Sequence, residues 1–159
     1  MLRIILLVVT FAAGGNALAG TAKFDKGMTP ILSQYLKIQS ALASDKLTGV
    51  KNASGKIIAL AKKLDPSSLT GEHAGHYKDI PKNLIRQAAE IRQSGSIDAA
   101  REHFKKLSQP MAMWAGMSKP KGVKVAYCPM AKASWLQEDS GIKNPYYGKK
   151  MLSCGEFVK

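Results

Sequence analysis

From Met28 onward the apolar residues return every three or four positions: Met28, Ile31, Leu32, Tyr35, Ile38 and Leu42. That spacing lines one stripe of a helix, and such a stripe must be covered by a neighbour. Thr29-Pro30 predicts the start of this first helix, with Thr as the cap and Pro where a missing N–H does no harm. Asp45 to Gly49 reads as a break. Val50, Ala53, Ile57, Leu60, Ala61 and Leu64 repeat the pattern in a second helix, which should stop before Asp65-Pro66. A third runs from about Pro81 through Leu84, Ala88 and Ile91 to Gly95, a residue suited to a left-handed end. Ser96 caps a fourth, with Ile97, Ala100, Phe104, Leu107, Met111 and Trp114 on its stripe and Pro110 expected to kink it. Four amphipathic helices with short connections predict an all-α fold, an antiparallel four-helix bundle.

After Gly116 the period changes. Val123, Val125 and Tyr127 alternate with Lys124, Ala126 and Cys128, which predicts a short strand ending at the first cysteine. Asn144-Pro145-Tyr146-Tyr147-Gly148 is turn chemistry, and Met151 to Val158 is the expected return strand. Residues 118–159 thus read as a C-terminal extension to the bundle, with a short β-hairpin and loops. A pairing of this kind would set Cys128 beside Cys154.

The N-terminus reads as a separate unit. Arg3, an apolar run from Ile4 to Ala13 and the small-residue exit Ala17-Leu18-Ala19 predict a secretory signal peptide over residues 1–19. Its apolar core of about ten residues is short of the roughly twenty that span a bilayer. The expected mature protein is exported, periplasmic in a double-membrane cell, and free of a membrane span. Residues 20–27 are small and polar, a flexible mature start, and 28–159 form one domain. With 24 Lys and Arg against 11 Asp and Glu the chain carries a formal charge of +13. The basic residues are scattered without an aromatic-interleaved stripe, so nucleic acid is not an expected partner, and a solvated basic surface is.

The chain has two cysteines, each with a methionine close by: Cys128-Pro129-Met130 and Met151-Leu152-Ser153-Cys154. A domain of about 140 residues buries enough core to need no staple, so an exported pair is either one disulfide or a site. Thiolate and thioether sulfur favour Cu(I), a polarisable ion of low charge, over harder divalent cations. Cys128, Met130, Met151 and Cys154 are therefore the candidate metal ligands. A plain disulfide remains the rival, and the two states are compatible if the bridge is reducible.

The stretch Tyr127-Cys128-Pro129-Met130-Ala131, then Trp135-Leu136, then Asn144-Pro145-Tyr146-Tyr147-Gly148 and Met151-Leu152-Ser153-Cys154-Gly155 resembles the DUF3347 family. Arg101, Phe104, Leu107 and Ser108 resemble the family's last-helix stretch, and Tyr35 with Ala41-Leu42 its first helix, so the likeness runs over about residues 28–158. Such proteins occur as small exported chains and as C-terminal domains of periplasmic adaptor subunits in copper and silver efflux. What the resemblance implies is a helical domain that binds Cu(I), or Ag(I), and passes it to an adaptor or another component of an efflux system. Tyr127 stands where many relatives have His.

Other clusters carry less. His73 and His76, three apart, are weaker candidates for a borderline ion such as Zn(II) or Cu(II). Met111 and Trp114 fall on a core stripe, leaving Met113 and Met117 freer, and His103 falls off it. No nucleophile elbow, His-Glu-x-x-His or glycine-rich phosphate loop is present, so the chain does not read as an enzyme. The alternative function is a disulfide-locked envelope interaction domain without metal.

Overall fold

A computed structural model describes residues 15–67, 69 and 74–158. It is mostly helical, with a small three-stranded antiparallel sheet near the C-terminus. The helices are α1 (Gly15–Ala43), α2 (Val50–Ala61), α3 (Ala74–Lys78), α4 (Ile80–Gln93) and α5 (Ile97–Ser118). No helix among the described residues is long and apolar enough to cross a membrane. Of the expected leader over 1–19, residues 1–14 lie outside the described residues.

The first helix starts well before the Thr29-Pro30 expected from the sequence. Pro30 sits inside α1 and Thr29 donates its hydroxyl back to the Asp25 carbonyl at 3.1 Å. A mid-helix proline removes one donor, and tertiary contacts offset the loss. Phe24 and Met28 are buried, and Phe24 meets the Tyr77 ring edge-on at 5.1 Å. Asp25 accepts from Trp114 Nε1 at 2.7 Å and from Ser118 Oγ at 2.6 Å, tying the N-terminal half of α1 to the end of α5. Residues 21–27, expected as a loose polar start, are thus helical and anchored.

Pro110 likewise lies within α5, which is continuous where a kink or interruption was expected. Ser96 caps that helix by accepting from Ala99 N–H at 3.2 Å. At the end of α4, Ser94 returns its hydroxyl to the Glu90 carbonyl at 3.0 Å, and Gly95 is not left-handed.

The helices pack in chain order, α1 on α2, α2 on α4 and α4 on α5. Contacts between α1 and α5 are few, and the sheet lies along that side. It contains β1 (Lys124–Cys128), β2 (Ala133–Gln137) and β3 (Glu156–Phe157) in the order β2-β1-β3. Strand β2 packs on both α5 and α1. Tyr35 of α1 stacks on Phe104 of α5 at 4.9 Å, and its hydroxyl lies 2.7 Å from Ser108 Oγ and accepts from Leu136 N–H of β2 at 3.2 Å. One buried phenol joins two helices and a strand.

The pairing differs from the hairpin read in the sequence. The partner that follows β1 directly is β2, reached through a turn at Pro129–Lys132 in which Lys132 is left-handed (φ 50°) and bonds Pro129 O at 3.3 Å. Of the expected return strand only Glu156 and Phe157 pair with β1, opposite Tyr127 and Ala126, and Val158 N–H adds a bond to Val125 O. Met151 ends a 3₁₀ turn (Gly148–Met151). Cys128 faces Ala133, and Ala126 faces Trp135. Since opposed residues share a face and alternate residues return to it, these four side chains line one buried face.

Candidate metal centre

Cys128 is the last residue of β1 and is fully buried. Cys154 comes from the opposite direction, on the turn between the 3₁₀ turn and β3, and is half-buried. The two Sγ atoms stand 3.4 Å apart, and both cysteines are free thiols. The distant segments therefore meet, through the edge pairing of β3 on β1 and a polar scaffold around Asn144.

Asn144 is wholly buried. Its Nδ2 donates to Cys154 O at 2.7 Å, its N–H to Leu152 O at 2.8 Å, and its Oδ1 accepts from Tyr146 N–H at 2.8 Å. The same amide lies against the Cys128 thiol. Gln137, also fully buried, accepts from Trp135 Nε1 and Lys143 N–H and donates to Asp139 O and Gly141 O. That shapes the loop delivering Asn144. Gln39 of α1 donates to Lys143 O at 2.7 Å from outside.

A second brace holds the 3₁₀ turn. Arg101 of α5 donates to Asp45 Oδ1 at 2.5 Å, to Leu42 O at 2.8 Å and to Pro145 O at 3.0 Å. Asp45 Oδ2 accepts from Lys149 N–H at 3.0 Å, as a carboxylate does at a helical N-terminus. Gly148 is left-handed (φ 56°), and a Cβ there would run into the Asp45 carboxylate and the Arg101 guanidinium.

Trp135 forms the apolar wall. It is fully buried, meets Tyr146 edge-on at 5.7 Å, and abuts Gly155, where a Cβ would come within 2.7 Å of the indole. Tyr146 Oη donates to Ser134 O at 2.5 Å. The residue after Cys154 must be small for the arm to lie this close to the indole.

The two thiols differ in acidity. Burial disfavours ionisation of Cys128, but hydrogen bonds from Ala131 N–H, the Cys154 thiol, the Asn144 amide and Met130 N–H outweigh it and hold the thiol below its ordinary pKa. The Ala131 donor stands 3.4 Å from the sulfur. Cys154 is pushed up, first because its S–H donates to Cys128, then by burial and by repulsion from the neighbouring negative charge. Of the two, the buried Cys128 is the sulfur that ionises more readily.

The structure brings the two cysteines together, while the two methionines are their neighbours along the chain. Met130 lies on the turn after Cys128 and is 64% exposed. Met151 is half-buried, and its carbonyl accepts from Cys154 N–H at 3.0 Å. His73 lies outside the described residues, and His76 is exposed on α3. No group of three or more His, Cys, Asp or Glu side chains placed to hold a metal occurs among the described residues. Met111 and Trp114 are core, Met113 is exposed, and His103 is half-buried with Nδ1 lacking a partner. Sequence reasoning took Asn144 for a turn residue and had no signal for Gln137 or Asp45.

These elements define a helical domain in which a buried cysteine at the end of a strand meets a half-buried one on a neighbouring turn. The model of a family described as a protein of unknown function, DUF3347, matches residues 31–121, and the chain belongs to that family. The match ends before β1, so both cysteines lie beyond it. No curated protein and no solved structure matches the chain.

Proposed function

We propose that the chain is an exported, periplasmic Cu(I)-binding protein that also accepts Ag(I), and that it buffers the ion or transfers it to an efflux system. Cys128 and Cys154 are the primary ligands, and Met130 and Met151 complete the shell from their turns. The observation that carries this is the 3.4 Å approach of two free sulfurs, the buried one held below its ordinary pKa by its hydrogen bonds. Two sulfurs each about 2.3 Å from one ion lie roughly 3.8 Å apart at a tetrahedral angle and about 4.6 Å apart in a straight line. A disulfide needs about 2.05 Å. Moderate opening suits chelation, whereas bonding requires closure by about 1.4 Å.

The chemistry fits the cation. Soft sulfur favours Cu(I), and the Trp135 and Tyr146 wall keeps water from the buried side. Partial exposure of Cys154 leaves a route for release. We read the helices as an antiparallel four-helix bundle whose C-terminal sheet carries the site, and we assign the chain no enzymatic activity.

The test is titration of the reduced protein with Cu(I) against a competing chelator, with X-ray absorption to count sulfur neighbours. High-affinity uptake that is lost in folded Cys128→Ser and Cys154→Ser supports the reading. A wild type that takes up no Cu(I) removes it. The second reading, a disulfide-locked interaction domain, is favoured by the same proximity and predicts a stable Cys128–Cys154 bridge with no metal affinity after reduction.

A further inference from the structure

Among the described residues, two buried side-chain atoms have no hydrogen-bond partner, Gln87 Oε1 on α4 and His103 Nδ1 on α5. A polar atom taken out of water and left unpaired costs free energy, so two of them in one place need an explanation. Gln87 as a whole is only 7% exposed. Both residues line the same hollow between the two helices, together with Arg86, Glu90 and Lys106. Arg86, Gln87 and Lys106 also line a second hollow that runs on to Pro110 and Met113, so the two adjoin as one furrow. They measure about 470 and 460 Å³, within the range of small-molecule sites. Arg86 Nη2 donates to Asn83 Oδ1 at 3.0 Å, which holds the guanidinium along α4. Neither Arg86, Glu90 nor Lys106 takes part in the ion pairs found among the described residues, which join Arg101 to Asp45 and Asp98, and Lys143 to Asp139. Glu102, one turn before Lys106, borders a different hollow with Asp98 and Tyr147.

From this arrangement we infer that the furrow between α4 and α5 binds a small zwitterion, a free α-amino acid with an apolar side chain. Gln87 Oε1 is an acceptor, His103 Nδ1 is another when the imidazole proton sits on Nε2, and Glu90 adds a carboxylate. Their common complement is a positively charged group with several N–H bonds, which is an ammonium. Arg86 and Lys106, shared by both hollows, are the complement of a carboxylate. An α-amino acid carries these two groups on one carbon, and its side chain then extends over Pro110 and Met113. Rotation of the exposed Arg86, Glu90 and Lys106 side chains, which line the same hollow, opens the way to the buried atoms. A bare metal ion would satisfy the acceptors but would face Arg86 and Lys106, like charge against like. The furrow shares no residue with the sulfur centre, so the inference stands apart from the copper reading.

The test uses the metal-free, reduced protein, isotope-labelled so that amide shifts can be followed. L-Leucine is titrated in, beside N-acetyl-leucine, which lacks the ammonium, and leucinamide, which lacks the carboxylate. L-Leucine should shift the amides of 83–90 and 103–113 and the Gln87 side-chain amide, and each altered analogue should bind about tenfold more weakly. Gln87→Leu and Glu90→Gln should each lower the affinity for leucine about tenfold. Glu90 is exposed, so its variant keeps the fold, and Gln87→Leu should not lower the melting temperature, because it removes an unpaired buried atom. Lys121→Gln, which borders another cavity, should leave binding unchanged. Absence of binding, shifts confined to other residues, equal binding of the analogues, or indifference to both substitutions would each overturn the inference. So would uptake of Zn(II) at His103 with no response to leucine. Cu(I) titration of the same variants should match the wild type, so failure of either reading leaves the other in place.

Discussion

Asn144 holds the Cys154 carbonyl at 2.7 Å through its side-chain amide while the same amide lies against the Cys128 thiol. The residue that joins the two arms is thus neither a cysteine nor a methionine. Its burial makes each of its hydrogen bonds consequential, because the partners have no water to fall back on.

Replacing Asn144 by Ala strands the Cys154 carbonyl and the Tyr146 N–H. The expected loss is about 2–4 kcal/mol in chemical denaturation. If the dithiol binds Cu(I), affinity should fall about 10–100-fold, as when a supporting partner of a ligand is removed. Competition titration of the folded variant checks this, and unchanged affinity would show that the arms hold their places without the amide.

The contact between the two sulfurs gives the thiols opposite responses to mutation. In Cys154→Ala, Cys128 loses a donor and its pKa should rise; in Cys128→Ala, Cys154 loses its acceptor and its pKa should fall. Ultraviolet thiolate absorbance against pH reads both. Between the two native titrations the pair carries one proton, so uptake of an ion by both sulfurs should release about one proton there, rising toward two below the first titration. Calorimetry in buffers of different ionisation enthalpy measures the number.

Gly155 has φ 138° and no room for a Cβ against Trp135 and the Tyr127 carbonyl. Gly155→Ala should cost about 2–4 kcal/mol and displace the Cys154 arm. Tryptophan fluorescence and disulfide formation under mild oxidant report the two effects. Native fluorescence with unchanged melting would mean that the strand edge shifts freely.

The Asp45 carboxyl is held below the usual carboxylate range, first by the Arg101 hydrogen bond and then by the Lys149 N–H. A depressed folded pKa gives stability that is complete above the unfolded value, about 3.9, and is lost as pH falls through the folded one. Wild type should therefore lose stability below that pH more steeply than Asp45→Asn, while being the more stable of the two at neutrality. Parallel acid profiles in denaturant would exclude the brace as a source of acid sensitivity.

Helical spacing was the most legible part of the chain, because Tyr35, Ile38, Leu42, Phe104 and Leu107 bury as their period requires. The start of α1 was not legible, since Thr29-Pro30 carries a strong local signal that the burial of Phe24 and Met28 overrides. Strand β2 was hidden for another reason. Ala133 to Gln137 lacks clean alternation, with Trp135, Leu136 and Gln137 buried in succession, as in a strand covered on both faces. The meeting of Cys128 and Cys154 accompanies the return-strand pairing expected from the sequence, although that pairing is limited to Glu156 and Phe157 and the chain forms β2 before it returns. The polar scaffold had no periodic signature, since Gln137 and Asn144 act through contacts that exist only once the loop is folded.

The seating of β2 between α1 and α5 bears on where this chain can be divided. The stretch that matches the family stops at 121, yet the Tyr35 hydroxyl and the Phe104 ring beneath it meet Leu136 and Tyr146 from beyond that limit. A fragment cut there would open a greasy fissure along its length and surrender the phenol to solvent. The sulfur-bearing tail is part of the keel of this protein.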